Sequence, residues 1–106
     1  MEFTVWERIQ CMAIVGQVTG PVARIRKAYK LLELFDFNEE EKERIGMAQS
    51  PNGAVSWRDD SGIFEIEIKD KELKSFLTTE LEGWQHWSAR DYQRMSVLFE
   101  KLEIPL

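Results

Sequence analysis

Residues 55–69 read Val55-Ser56-Trp57-Arg58-Asp59-Asp60-Ser61-Gly62-Ile63-Phe64-Glu65-Ile66-Glu67-Ile68-Lys69. Two alternating runs flank a polar turn. Val55 and Trp57 alternate with Ser56 and Arg58, and Phe64, Ile66 and Ile68 alternate with Glu65, Glu67 and Lys69. Successive side chains of a strand point to opposite faces, so each run buries one face and wets the other. Asp59-Asp60-Ser61-Gly62 supplies the turn. The pattern predicts a β-hairpin with one buried face. It is the clearest period-two signal in the chain.

On its N-terminal side the chain reads as three short helices. Thr4 and Glu7 stand in capping-box spacing and predict a first helix over residues 5–15. Ile9, Met12, Ala13 and Gly16 fall at helical spacing and form its expected buried face, with Trp6 at the start. Pro21 fits the first position of a second helix, where its missing N–H is not needed. The expected buried stripe of that helix is Ile25, Ala28, Tyr29, Leu32 and Phe35, with Arg24, Arg26, Lys27 and Lys30 on the other sides. Asn38 caps a third helix in capping-box spacing with Glu41, and Gly46 stops it.

On the C-terminal side Asp70 caps a fourth helix with Leu73, Phe76, Leu77 and Leu81 as its stripe, ending at Gly83. Ser88 and Asp91 introduce a fifth, carrying Tyr92, Met95, Leu98, Phe99 and Leu102. The expected fold is therefore α+β: one domain over residues 1–106, with three short helices, a hairpin, then two helices. This is a winged-helix-like order, which by itself says nothing of function.

Composition bounds the rest. The chain has 106 residues, 43% of them hydrophobic, with a net charge of −5. That length holds one domain, and the apolar content is too high for disorder. A single cysteine, Cys11, excludes an intrachain disulfide and a multi-cysteine zinc site, and suits a reducing cytoplasm. The N-terminus lacks the basic and apolar regions of a signal peptide, and no stretch is apolar and long enough to span a bilayer. The expected location is the cytoplasm.

The charge is uneven. Residues 1–30 carry five basic side chains (Arg8, Arg24, Arg26, Lys27, Lys30) and two acids; residues 31–106 carry nine and seventeen. In a winged helix the third helix would enter the DNA major groove. Here that helix holds Glu39, Glu40, Glu41 and Glu43 against Lys42 and Arg44, and the hairpin tip holds Arg58 against Asp59 and Asp60. Both would meet phosphate with net negative charge, so nucleic acid is not expected as a partner. A degenerate winged-helix DNA binder would have to work through Arg24, Arg26, Lys27 and Lys30.

Catalysis finds little support. Cys11 sits beside the apolar stripe of the first helix and reads as a half-buried structural thiol. His86 is the lone histidine, so no His–His metal pair exists. The Gly16–Gly20 stretch lacks the Gly-Lys-Ser/Thr end of a phosphate loop. Asp59-Asp60-Ser61-Gly62 lacks calcium-loop spacing. No enzyme activity, cofactor or metal is expected. Four tryptophans remain. Trp57 fits the inner face of the hairpin and Trp6 the core. Trp84 and Trp87, with His86, form an aromatic turn of the kind enriched at interface hot spots.

One wider pattern stands out. Arg8-Ile9, Ala13-Ile14-Val15, Gly20, Ile25, Leu31-Leu32, Phe35-Asp36-Phe37 and Glu39-Glu40-Glu41 are followed by Trp57 and by Tyr92 with Leu98-Phe99. Together they resemble a pattern in small uncharacterised proteins of phages and prophages. The resemblance implies an accessory or host-interaction protein and carries over no catalytic residues. The functional expectation is a non-catalytic domain that binds a protein partner or itself. Its candidate surfaces are the basic side chains Arg24, Arg26, Lys27 and Lys30, and the turn of Trp84, His86 and Trp87.

Overall fold

Thr4 and Glu7 open the first helix as the sequence expects. In the computed structural model, which describes residues 1–49, 51–53, 55–57 and 62–106, α1 runs Val5–Val15. The Glu7 amide donates to Thr4 Oγ1 at 3.2 Å and the Thr4 amide donates to Glu7 Oε1 at 2.8 Å. The two bonds satisfy donors that a bare helix end would leave open. Asn38 and Glu41 repeat the arrangement at the start of α3 (Glu39–Ile45), and Gly46, with φ of 66°, ends it. Asp70 caps α4 (Lys71–Gly83) by accepting from the Glu72 amide. Ser88 caps a single 3₁₀ turn, Ala89–Asp91, which feeds α5 (Tyr92–Lys101). Pro21 stands one position earlier than expected: it is the extended residue that caps α2 (Val22–Phe35).

The helix and strand order is that of the expected α+β fold. The strand pairing differs. Among the described residues four short strands lie at β1 (Glu2–Thr4), β2 (Ala48–Gln49), β3 (Val55–Ser56) and β4 (Ile63–Glu65). Among the described residues β3 pairs antiparallel with β2, and β4 pairs antiparallel with β1. The two alternating runs of 55–69 thus take separate partners. The physical reason lies in Phe3. Its register partner is Phe64; both rings are buried, Phe3 edge-on to Phe35 at 5.1 Å and Phe64 edge-on to Phe37 at 6.1 Å. A three-residue strand ahead of a helix cap carries too little alternation to be read locally. The turn residues Asp59, Asp60 and Ser61, and Arg58 at the expected hairpin tip, lie outside the described residues.

The core has two parts. The larger joins Cys11, Ile14 and Val15 of α1, Ala28, Leu31 and Phe35 of α2, the Leu73–Leu77–Leu81 stripe of α4, and Leu98 and Phe99 of α5. A smaller cluster holds Val5, Phe37, Ile45 and Phe64, with Trp57 packed partly against it.

Three expected faces are corrected. On α1 the buried side carries Val5, Trp6, Glu7, Arg8, Cys11, Ile14 and Val15; Ile9 and Met12 are half-buried and Ala13 is exposed. On α2 the buried side is Ala28, Leu31 and Phe35, while Ile25 is 40% and Tyr29 61% exposed. On α5 Tyr92 is exposed. The first correction has an electrostatic cause. Arg8, only 2% exposed, donates from Nε and Nη2 to the Phe35 carbonyl at 3.1 and 2.9 Å and from Nη2 to the Asp36 carbonyl at 2.6 Å. Its Nη1 meets Glu41 Oε2 at 2.9 Å, and its guanidinium lies 3.8 Å from the centre of the Phe37 ring. Glu7, equally buried, accepts from Lys101 Nζ at 2.6 Å. Charges enter an interior only when so fully partnered. Here the partnering lets the whole first turn of α1 be buried and ties it to the C-terminus of α2, the start of α3 and the end of α5.

Candidate functional site

The four basic side chains of α2 do not form one face. Arg24 Nη2 meets Glu80 Oε1 of α4 at 2.6 Å, and its Nε donates to the Thr19 carbonyl at 3.0 Å. Lys27 Nζ stands 3.8 Å from Glu72 Oε2, also of α4. These two cations are engaged in holding α2 against α4. Arg26 and Lys30, one turn apart, point away from that contact; both are exposed and make no ion pair among the described residues. The positive charge of the N-terminal third therefore reaches solvent mainly at Arg26 and Lys30.

The aromatic turn divides in the same way. Trp87 donates from Nε1 to the Leu81 carbonyl at 3.1 Å and meets the Phe99 ring edge-on at 5.8 Å, so it closes the core over the end of α4. Trp84 is half-buried against the same core, with the exposed His86 ring edge-on to it at 5.0 Å. The structure keeps Trp84 and His86 together and uses Trp87 as a packing residue.

A third surface emerges where the corrected faces lie. Ile9, Met12 and Ala13 of α1, Leu32 of α2, Asp36 and Phe37 beyond it, and Lys42 and Met47 around the end of α3 line an open cleft of about 460 Å³. Its lining is predominantly apolar. Its floor is the small cluster of Val5, Phe37, Ile45 and Phe64, against which Ile9, Met12 and Met47 pack. The apolar strip continues along α2. Tyr29 and Ile25 stand three and seven residues before Leu32, on the same side of the helix. Sequence reading identified these side chains as periodic and apolar but assigned them to the core. The signal that distinguishes them is that α1 is apolar nearly all the way round: Cys11, Ile14 and Val15 form the side sunk in the larger core, and Ile9, Met12 and Ala13, in line with Val5 and Trp6 of the first turn, form the other. A helix of that kind has two faces to cover, and the chain covers the second only in part.

The groups with reactive chemistry lie elsewhere. The Cys11 thiol is fully buried, rather than half-buried as expected, and burial, with the nearby Glu7 charge, pushes its pKa far up, which keeps it protonated. Among the described residues no three His, Cys, Asp or Glu side chains come together as a metal-holding group. Among the described residues Glu41 is the one carboxylate with a resolved perturbation. Partial burial pushes its pKa up, but the hydrogen bonds from Arg8 and the Asn38 amide, with the charges of Arg8 and Arg44, outweigh burial and hold it below the ordinary carboxylate value. This shift belongs to the α1–α3 tie and not to a reactive centre. No protein-family model matches the chain, and neither a curated protein nor a solved structure matches it.

Proposed function

We propose that the chain is a small non-catalytic interaction domain and that its docking face is the cleft between α1, α2 and α3. One observation carries this reading. Side chains that the sequence places at core spacing (Ile9, Met12, Ala13 and Leu32) line an open cleft instead. Contiguous apolar surface rimmed by polar groups is characteristic of binding sites. The resemblance to small phage and prophage proteins supports an accessory or host-interaction role. The lone buried thiol fits work in the cytoplasm, and among the described residues no helix is long and apolar enough to cross a membrane. A duplex-DNA role for α2 is the weaker alternative, because Arg24 and Lys27 already neutralise Glu80 and Glu72.

The test is site-specific photo-crosslinking. A benzophenone side chain at Ala13, in the cleft, should give a discrete cross-linked product in lysate of the source cells or, for self-association, with the purified chain. The same group at the exposed Glu82 of α4 should give none. Monomer at both positions, with native mass spectrometry also showing monomer, would overturn the reading.

A further inference from the structure

We infer that the cleft takes an amphipathic helix bearing carboxylates, one supplied by a different protein. The inference rests on the cleft being the docking face and adds the chemistry of what docks there. The shape favours a helix. On α1 the apolar positions Ile9, Met12 and Ala13 recur at the spacing of successive turns. On α2 Ile25, Tyr29 and Leu32 do the same, across seven residues or roughly 10 Å of helix axis. Leu32 joins the α2 strip to the cleft, and apolar surface continued along a helix in this way accepts a helix that offers anchors at i, i+4 and i+7. A strand would find no edge there, since the cleft is lined by helices and their ends.

Charge selects the occupant. Arg26 stands three residues before Tyr29 and four before Lys30, so these two cations form the outer border of the apolar strip. Lys42 lines the other end of the cleft, 3.4 Å from Glu39. The anions on this side are Glu33 on α2 and Asp36, whose Oδ1 already accepts from the Phe37 amide. Positive charge thus dominates the end near Ile25 and Tyr29, and carboxylates of the partner belong there. A second copy of this chain fits poorly. Its Glu-bearing helices α3 and α4 already bury their apolar residues, Ile45 in one and Leu73, Leu77 and Leu81 in the other, and so have no apolar face left to dock.

Two synthetic 14-residue peptides test this, both with Leu or Phe at i, i+4, i+7 and i+11. One carries Glu at the flanking positions and the other Lys. The net charge of −5 favours the Lys peptide at long range. A preference for the Glu peptide must therefore come from the local cations. The Glu peptide should shift the amide resonances of α1 and α2 and bind about tenfold more tightly than the Lys peptide at low salt. The gap should close as salt rises. The double substitution Arg26→Glu with Lys30→Glu, at two exposed positions, should reverse the preference. Equal binding of both peptides in the cleft would overturn the charge inference and leave the docking reading standing. Cleft shifts with neither peptide would overturn the inference, while the Ala13 crosslink decides the docking reading separately. Co-sedimentation with vesicles of phosphatidylserine and phosphatidylcholine, without peptide binding, would overturn it in favour of a membrane surface.

Discussion

The two faces of the α1–α2 pair are exchanged in character. The inner face holds two buried charges, Glu7 and Arg8, and the outer face holds Ile9, Met12, Ala13, Ile25, Tyr29 and Leu32 in or near an open cleft. The inner charges persist because every one is answered: Arg8 by two carbonyls and Glu41, Glu7 by Lys101 and the Thr4 amide. The outer apolar groups are only partly answered: Ile9, Met12 and Leu32 pack against the core from one side, while Ala13, Ile25 and Tyr29 are exposed. The inner face is complete within the chain, and the outer face is the one on which the proposed docking rests.

Breaking the inner face should give the largest effect. Arg8→Ala leaves Glu41 and the Phe35 and Asp36 carbonyls without their donor and opens space beside Phe37. A loss of about 3–5 kcal/mol is expected, read as a fall in the urea midpoint with an unchanged slope. A loss below about 1 kcal/mol would mean that water replaces the guanidinium easily. Next comes Leu31→Ala, which truncates a fully buried side chain of α2 and should cost about 2–5 kcal/mol.

The tie to α3 should show a pH signature. The Glu41 pKa is held below its ordinary value in the folded chain, so its stabilisation is present in full above the unfolded-state value near 4.5 and is lost as pH falls through the lower folded value. Glu41→Gln removes the titration while keeping one acceptor for Arg8. The variant should be less stable by about 1 kcal/mol at pH 7, and the difference from the parent chain should shrink as pH falls below 4.5. Urea titrations at pH 7 and through the acid range measure it. A difference that stays constant with pH would place the effect in packing and not in charge.

Local signals in the sequence were legible and long-range ones were not. The capping pairs Thr4–Glu7 and Asn38–Glu41, the Asp70 cap and the Gly46 stop involve residues no more than four apart, and each was found where expected. The α+β order followed from them and from the alternation of residues 55–69. The pairing of β4 with β1 was hidden because Phe3 lies 61 residues before Phe64, in a strand of three residues. The burial of the whole first turn of α1 was hidden because Glu7 and Arg8, read alone, belong outside; only Lys101, Phe35, Asp36 and Glu41 together make their burial tolerable. On the surface, Trp84 and His86 stand together, Arg24 and Lys27 form ion pairs with α4, and Trp87 packs against Phe99; these long-range partners are not visible in the sequence. The cleft residues were visible as apolar periodicity without any sign of which period would be covered.

The smallest stability effect makes the sharpest test of that last distinction. Tyr29 and Leu31 lie two residues apart on α2, and periodicity alone ranks Tyr29 as the core residue. Tyr29 is 61% exposed, so Tyr29→Ser removes little that folding buries, and the change in unfolding free energy should stay within about 0.5 kcal/mol. The same substitution takes an aromatic anchor from the strip beside the cleft. It should weaken the Glu-bearing peptide by roughly tenfold or more, since Tyr is among the residues that dominate interfaces. Unfolding by urea and peptide titration on the same variant separate the two readings. Large destabilisation with unchanged peptide binding would return Tyr29 to the core and remove the outer face as a docking surface. Near-native stability with lost binding would show that α2 carries two apolar faces, one for the fold and one for a partner.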